Sequence, residues 1–269
     1  MLTSRGFIVS CMPTLFLSHG APNVALYDLP ARRFFDGLAA SLPRPRAIVV
    51  ASAHYAAAVP SVTASSRPQT IHDFGGFEAE LYDLRYDAPG DPVLATRALA
   101  LIKTEFGVEG VADHSWGFDH GAWSPLIRVY PQADVPLLVL SLNPTGDAAW
   151  HYRLGYALRA LREEGVLVIG SGSMTHNLGR LQPPMSHDAQ APWVGAFMHW
   201  VGERLTSGDA EGLCDYRRVA PHAHDCHPSE EHFMPLFVAL GAAGDDWHAT
   251  NIHHSMTFGT LAMDAWRFD

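Results

Sequence analysis

Lysine is almost missing from this chain. Lys103 is the only one, and 18 Lys+Arg against 28 Asp+Glu give a formal net charge of −10. A nucleic-acid binder needs a basic stripe to neutralise phosphates, so none is expected as a partner. Long hydrophobic runs are missing too. No stretch approaches the roughly 18 apolar residues of a spanning helix, and no membrane attachment is expected. Cysteine is scarce and odd in number: Cys11, Cys214 and Cys226 show no CxxC spacing. That pattern points to reduced thiols and a cytoplasmic protein, not a disulfide framework. The opening residues are mildly apolar, but Pro13 and His19 interrupt them and no small-residue cleavage site follows. Residues 1–12 read as an extension, with Met12 offering a natural start and 13–269 forming the catalytic domain. There is no internal repeat, low-complexity tract or Gly/Ser linker, so 269 residues at 48% hydrophobic content read as one domain.

Short apolar or β-branched runs at 14–18, 47–53, 137–142 and 166–171 read as strands buried on both faces. Helical patterns separate them. Asp91-Pro92 caps a helix stopped by Gly107, and Asp147 caps another that carries Trp150, Leu154 and Leu158. A third carries Trp193, Phe197 and Val201, and the last has Phe233, Leu236, Phe237 and Leu240, closed by Gly241. In that last helix, Pro228 or Ser229 opens the first turn, which would then contain Glu230, Glu231 and His232. The expected fold is α/β: a single domain with a central, largely parallel (mixed) sheet flanked by helices. Two polar excursions, 55–90 and 208–228, read as functional loops.

What the chain has in excess is histidine, 16 in all. In an open α/β sheet, ligands bind beyond the carboxyl ends of the strands. The first strand runs into His19, the second into His54, and the 166–171 strand into a loop that carries His176. His232, at the opening of the last helix, is a fourth contribution to the same edge. Neutral imidazoles suit Fe, Zn, Cu and Ni, and ligands gathered from remote segments describe a catalytic centre with open positions. The cluster His222, His224 and His227 reads as a polar loop or an incidental metal site.

Several motifs stand in one order: Leu17-Ser18-His19-Gly20-Ala21-Pro22, Ser52-Ala53-His54-Tyr55, His72-Asp73-Phe74-Gly75-Gly76-Phe77, Gly117-Phe118-Asp119-His120-Gly121-Ala122-Trp123 and His227-Pro228-Ser229-Glu230-Glu231-His232. Together they resemble the class III (LigB-type) extradiol ring-cleavage dioxygenases, in the subgroup related to DOPA 4,5-dioxygenase. The resemblance runs from about Pro13 to the end. It implies metal ligands His19, His54 and His232, an acid/base at His176 (or His176 as a fourth group at the metal), and a pocket histidine at His120. It implies Fe(II) in the active form, with Zn(II) as an ion that purified protein can carry, and a small aromatic diol and O2 as partners of a monomer or small homo-oligomer. Tyr55 departs from the tryptophan common in the second motif, and Glu230 and Glu231 leave a two-histidine, one-carboxylate centre open as an alternative.

That chemistry suits these residues. Triplet O2 reacts slowly with a singlet catechol, and a facial triad leaves positions for both diol oxygens and for O2. A histidine that titrates near neutrality can move the protons. His72, Phe74 and Tyr55 are the candidate substrate wall, with Phe77, Tyr82 and Tyr86 as further lid aromatics. Arg85 or Arg180 is the candidate partner for a substrate carboxylate. The rival readings are a zinc-dependent hydrolase on the same three histidines and a metal-free binding protein of the same fold. A serine hydrolase is weaker still, because Gly170-Ser171-Gly172-Ser173-Met174 lacks nucleophile-elbow spacing.

Overall fold

A strand covered on both faces must be apolar at every position, and its alternate residues then feed two separate cores. The computed structural model describes residues 11–181 and 190–269. In chain order it contains β1 (Thr14–Ser18), α1 (Pro30–Leu38), β2 (Ala47–Ala56), β3 (Ser61–Thr63), α2 (Ala79–Asp83), α3 (Pro92–Phe106), β4 (Val111–Asp113), α4 (His120–Val129), β5 (Leu137–Leu142), α5 (Ala148–Leu158) and β6 (Val166–Gly172). Then follow α6 (Pro192–Ser207), the short α7 (Ala210–Cys214), α8 (Tyr216–Val219) and α9 (Ala223–Cys226), α10 (Met234–Ala243), β7 (Ala249–His253), β8 (Met256–Thr257), β9 (Leu261–Ala262) and β10 (Ala265–Phe268). Eight strands form one sheet in the order β4-β3-β5-β2-β6-β1-β10-β7. The central β5-β2-β6-β1 ladder is parallel, whereas β10 joins β1 antiparallel and β3 joins β5 antiparallel.

The alternation is visible residue by residue. Val49 of β2, Phe16 of β1 and Leu140 of β5 enter the core shared with α3, α5, α6 and α10. Their neighbours Ile48 and Val50, Leu15 and Leu17, and Val139 enter the core shared with α1 and α4. The helix signals act as read: Asp91 accepts from the Val93 and Leu94 amides at 3.1 and 2.9 Å, and Gly107 ends α3 at φ 71°. Asp147 accepts from the Trp150 amide at 2.8 Å.

Two boundaries differ from the sequence reading, and both bear on the histidines. β2 does not end at Ala53. It continues to Ala56 but leaves its regular register with β5 between Ala51 and Ala56, and His54 sits in that irregular stretch. α10 begins at Met234, with Pro235 in its first turn, so His232 lies in the turn before the helix. The first turn is fixed by proline geometry, not by the Ser229 cap. Residues 1–10 of the expected extension lie outside the described residues; Met12 is 2% exposed and bonded to Arg162.

β6 is glycine-bearing where α10 crosses it. A Cβ on Gly170 would lie 2.0 Å from the Pro235 carbonyl oxygen, and one on Gly172 would lie 2.1 Å from that of His232. Only hydrogen at these positions lets the turn carrying His232 lie on the strand, where the Ser173 amide donates to the His232 carbonyl at 2.8 Å. Replacing Gly170 with Ala is therefore expected to destabilise the fold by about 1–3 kcal/mol through overpacking. Urea unfolding measures it, and an unchanged midpoint would show that α10 yields without cost.

Candidate metal centre

Each histidine reaches the site by a different local device. His19 directly follows β1, and its amide donates to the Gly172 carbonyl at 3.0 Å, anchoring the residue across the parallel ladder. His54 hangs from the irregular end of β2. His120 is the first residue of α4, His176 lies beyond β6, and His232 is held over Gly172. The ring centres of His19, His54 and His232 form a triangle of 5.0, 5.0 and 5.5 Å. Three imidazoles around one ion, bonded at about 2.0–2.1 Å, have centres roughly 4.5–5.3 Å apart. The Nε2 atoms of His19 and His54 are 3.1 Å apart, close to the ~3 Å edge between two adjacent ligands of one ion. Nitrogens of His19, His54 and His120 lie within 4.8 Å of one another, as do the ligand atoms of His176, Glu231 and His232, so the five rings make two adjoining groups.

The hydrogen bonds decide which nitrogen is available. His54 Nδ1 and His120 Nδ1 face the same Asp73 Oδ2 at 3.4 and 3.0 Å, and His232 Nδ1 faces Glu231 Oε1 at 2.9 Å. An ionised carboxylate only accepts, so these Nδ1 atoms carry the protons. His19 Nδ1 lies 3.0 Å from Ser171 Oγ, whose own hydrogen goes to the Gly121 carbonyl; Ser171 therefore accepts here as well. In His19, His54, His120 and His232 alike the Nε2 lone pair is left free, the arrangement in which an outer acceptor orients a ligating imidazole. The donor set fits a borderline or transition-metal ion.

Burial and neighbours tune the charges. Burial holds the His19 ring well below the usual histidine range, with His54 and His120 adding to the effect. Burial takes His54 to about 2, assisted by His120 and His232. Burial and then His232 take His176 to about 3. Burial alone would raise the Asp73 carboxyl, but hydrogen bonding and charge interaction with His120 outweigh it and keep it below its ordinary value. The hydrogen bond from His232 lowers Glu231 to about 2. The His19, His54 and His176 rings are therefore neutral, and the Asp73 and Glu231 carboxylates ionised, at pH 7.

A cavity of about 450 Å³ opens over the rings, bounded at its metal end by all five histidines and on the lid side by Phe74 and Phe77. Of the three residues expected on the substrate wall, only Phe74 lines it. Tyr55 is 4% exposed, stacks on Trp116 at 4.7 Å and donates to Asp113 at 2.6 Å. It neighbours His54 in an extended strand, so alternation sends its side chain to the other face. His72 is packed behind Phe74, its Nε2 on the Leu84 carbonyl at 3.1 Å. Tyr86 is a core residue bonded to the Tyr130 carbonyl, and His227 is fully buried on the Met174 carbonyl at 2.9 Å, so neither joins the site. Glu230 accepts from the Tyr216 hydroxyl at 2.6 Å and faces Arg217, away from the rings. A larger groove of about 710 Å³, bordered by Arg67, Thr70, His72 and Arg85, shares none of the five histidines.

The reading from sequence missed Asp73. Its Oδ1 accepts the His120 backbone N–H at 2.9 Å while Oδ2 orients two rings, so it caps α4 from a remote loop. The signal available was its place inside the His72–Phe77 motif.

Fold and site thus define a class: an α/β protein with neutral imidazoles converging at the carboxyl edge of a largely parallel sheet. Residues 13–263 match the family described as the catalytic LigB subunit of aromatic ring-opening dioxygenase, and the chain belongs to that family. A 4,5-DOPA dioxygenase extradiol of Beta vulgaris is 43% identical, with 95% of this chain and 96% of that protein aligned. A protein of the same description from Escherichia coli is 40% identical, over 94% and 93%. The crystal structure of an uncharacterised Escherichia coli K12 protein superposes with a TM-score of 0.78 at 35% identity, covering 95% of this chain and 99% of that one. The chain is a metal-dependent extradiol ring-opening dioxygenase acting on an aromatic substrate and O2. Among the described residues no helix is long and apolar enough to cross a membrane.

The depressed histidines have a consequence for stability. His19, His54, His176 and the buried His227, itself lowered to about 3, bind protons only when the chain unfolds. The unfolded state binds more protons below about pH 6.5, so stability is present above that value and is lost as pH falls towards the folded values. Each such group contributes a loss of about 1.4 kcal/mol per pH unit below 6.5. The metal-free protein is expected to lose about 10 °C of Tm or more between pH 7.5 and 5.5. A flat Tm over that interval would contradict the neutral assignment.

Proposed function

We propose that the chain opens the ring of a substituted catechol on the extradiol side, with Fe(II) held by Nε2 of His19, His54 and His232. The observation that carries this reading is the set of oxygen acceptors on Nδ1 of all three rings, which leaves three lone pairs at the foot of one cavity. The bound ion would supply positive charge for the diol oxygens and a route for coupling O2 to the substrate.

The chain's own residues do the rest. His120, backed by the Asp73 carboxylate, takes a proton at Nε2 from the second substrate hydroxyl, in the manner of a base oriented by a third group. His176 stacks on His232 with centres 3.4 Å apart, and among the described residues no hydrogen bond engages its ring. It is free to move over bound substrate, where as a neutral ring it first takes up a proton and then returns it. Phe74 and Phe77 cover the cavity and exclude water. Glu231 serves as the acceptor for His232 in this arrangement, not as a ligand. The three unpaired thiols support a reducing, cytoplasmic setting.

Protein purified in air is expected to carry zinc and to open no ring until zinc is exchanged for Fe(II) under argon. O2-dependent cleavage by an iron-free zinc sample would sink the iron assignment, and O2-independent hydrolysis by that sample would favour a hydrolase. A second measurement separates ligand from acid/base. His54→Ala should lose both metal and turnover, whereas His176→Ala should retain metal and lose turnover by about 10²–10⁴. Metal analysis beside single-turnover rates checks it; equal metal loss in both variants makes His176 a ligand and leaves His120 as the acid/base.

A further inference from the structure

An aspartate at the head of a helix normally caps it, because its carboxylate accepts the free amides of the first turn. Asp119 stands in that position before α4 and makes no such bond; Asp73 accepts the His120 amide instead. The Asp119 side chain is turned inward and is 0% exposed. Its Oδ1 accepts the Ser52 hydroxyl at 2.5 Å and its Oδ2 the Trp116 indole N–H at 3.2 Å. A carboxylate is costly to bury unless both oxygens are bonded. Here both are, and what they hold is the strand end that carries His54.

Ser52 and His54 are two residues apart in β2 and share a face of the strand. The Ser52 hydroxyl accepts the His54 amide at 3.2 Å, and its single hydrogen goes to Asp119. A hydroxyl bonded to an amide two residues on competes with the sheet ladder. This is where β2 leaves its register with β5, between Ala51 and Ala56, while Ser52 is still paired with Ser171 of β6. We propose that Asp119 is a positioning residue for His54. It fixes the Ser52 hydroxyl, and the hydroxyl fixes the bend in β2 from which the imidazole reaches the metal. The metal part of that statement rests on the ring-opening reading above, in which His54 is a ligand.

Asp119 is held in turn by the loop before it. Trp116 stacks on Tyr55, the residue after His54, with ring centres 4.7 Å apart and 7° between the planes. Tyr55 donates to Asp113 Oδ2 at 2.6 Å, and Asp113 Oδ1 accepts the Trp116 amide at 3.1 Å. The loop from Asp113 to Asp119 therefore grips β2 on both sides of His54, through Ser52 before it and Tyr55 after it. The first turn of α4 closes the arrangement. A Cβ on Gly121 would stand 2.6 Å from Ser52 Oγ, 3.0 Å from His54 Cδ2 and 3.1 Å from Asp119 Oδ1. Asp73 sets the tautomer of His54, and Asp119 sets where the ring stands.

The test separates position from stability. Ser52→Ala removes the link. Asp119→Asn keeps the shape but turns an amino group towards one of the two donors that face it. Trp116→Phe keeps the ring stack and removes a single N–H, a mild variant in case the other two fail to fold. Leu205→Ala, a core truncation in α6, lowers stability away from the site. Histidine-selective 15N NMR on metal-free protein reads the rings, and competition with a chelator gives the zinc affinity. The His54 ring resonances are expected to shift in all three clamp variants and to stay in place in Leu205→Ala. Zinc affinity should fall about 10–100-fold in Ser52→Ala and Asp119→Asn, the usual effect of removing an outer partner of a ligand. In Leu205→Ala it should stay within about twofold, as for independent sites. His54 resonances that do not move in the clamp variants overturn the proposal, whatever the metal does. Equal movement, or equal zinc loss, in Leu205→Ala overturns it as well. If the His54 resonances move and zinc affinity is unchanged, the positioning role stands and the assignment of His54 as a ligand falls.

Discussion

Asp73 Oδ2 lies 3.0 Å from His120 Nδ1 and 3.4 Å from His54 Nδ1, while Oδ1 of the same carboxylate accepts the His120 backbone N–H. One side chain therefore orients two imidazoles and satisfies the start of α4. Without an acceptor on Nδ1, a buried neutral imidazole is free to change tautomer or rotate, and its Nε2 lone pair loses its direction. Ser171 and Glu231 repeat the device at His19 and His232, with different acceptors from different elements. The fold solves the same problem several times over. Neutrality follows from burial and from mutual proximity, since each ring disfavours a proton on the next.

The acceptors can act only because backbone brings the rings together, and the sheet does this through its tightest contact. Gly170 and Gly172 of β6 admit Pro235 and His232 of the crossing segment to a distance that no Cβ would allow. His19 is tied to the same strand end by its amide on the Gly172 carbonyl. Gly172 thus sits between two rings that come from opposite ends of the sequence. Its role is geometric, and the chemistry depends on it as much as on any side chain that carries a lone pair.

The elements that were legible in the sequence are those whose physics is local. Doubly covered strands are apolar at every position, and the capped helices α3 and α5 advertise their ends with Asp91, Gly107 and Asp147. The strand-then-histidine pattern exposed the edge at which His19, His54 and His176 gather. β3 and β4 have three residues each, β8 and β9 two, too few to show any period. α4 was obscured by Pro125 inside it. The start of α10 was misplaced because a cap-like Ser229 precedes the proline that actually sets the first turn. At the site, histidine count and spacing were enough to find the rings. The acceptors were not, because a carboxylate such as Asp73 has no sequence signature until the loop that carries it is folded back on α4. Tyr55 failed as a wall residue for a simpler reason: adjacency in a strand means opposite faces.

Charge balance connects the metal end of the cavity to its walls. With the proposed set of ligands, three imidazoles would compensate none of the charge of a divalent ion, and a catecholate would supply the matching negative charge on binding. The carboxylates that might have done so, Asp73 and Glu231, are occupied with Nδ1 protons. No arginine or lysine is among the described residues that line the cavity.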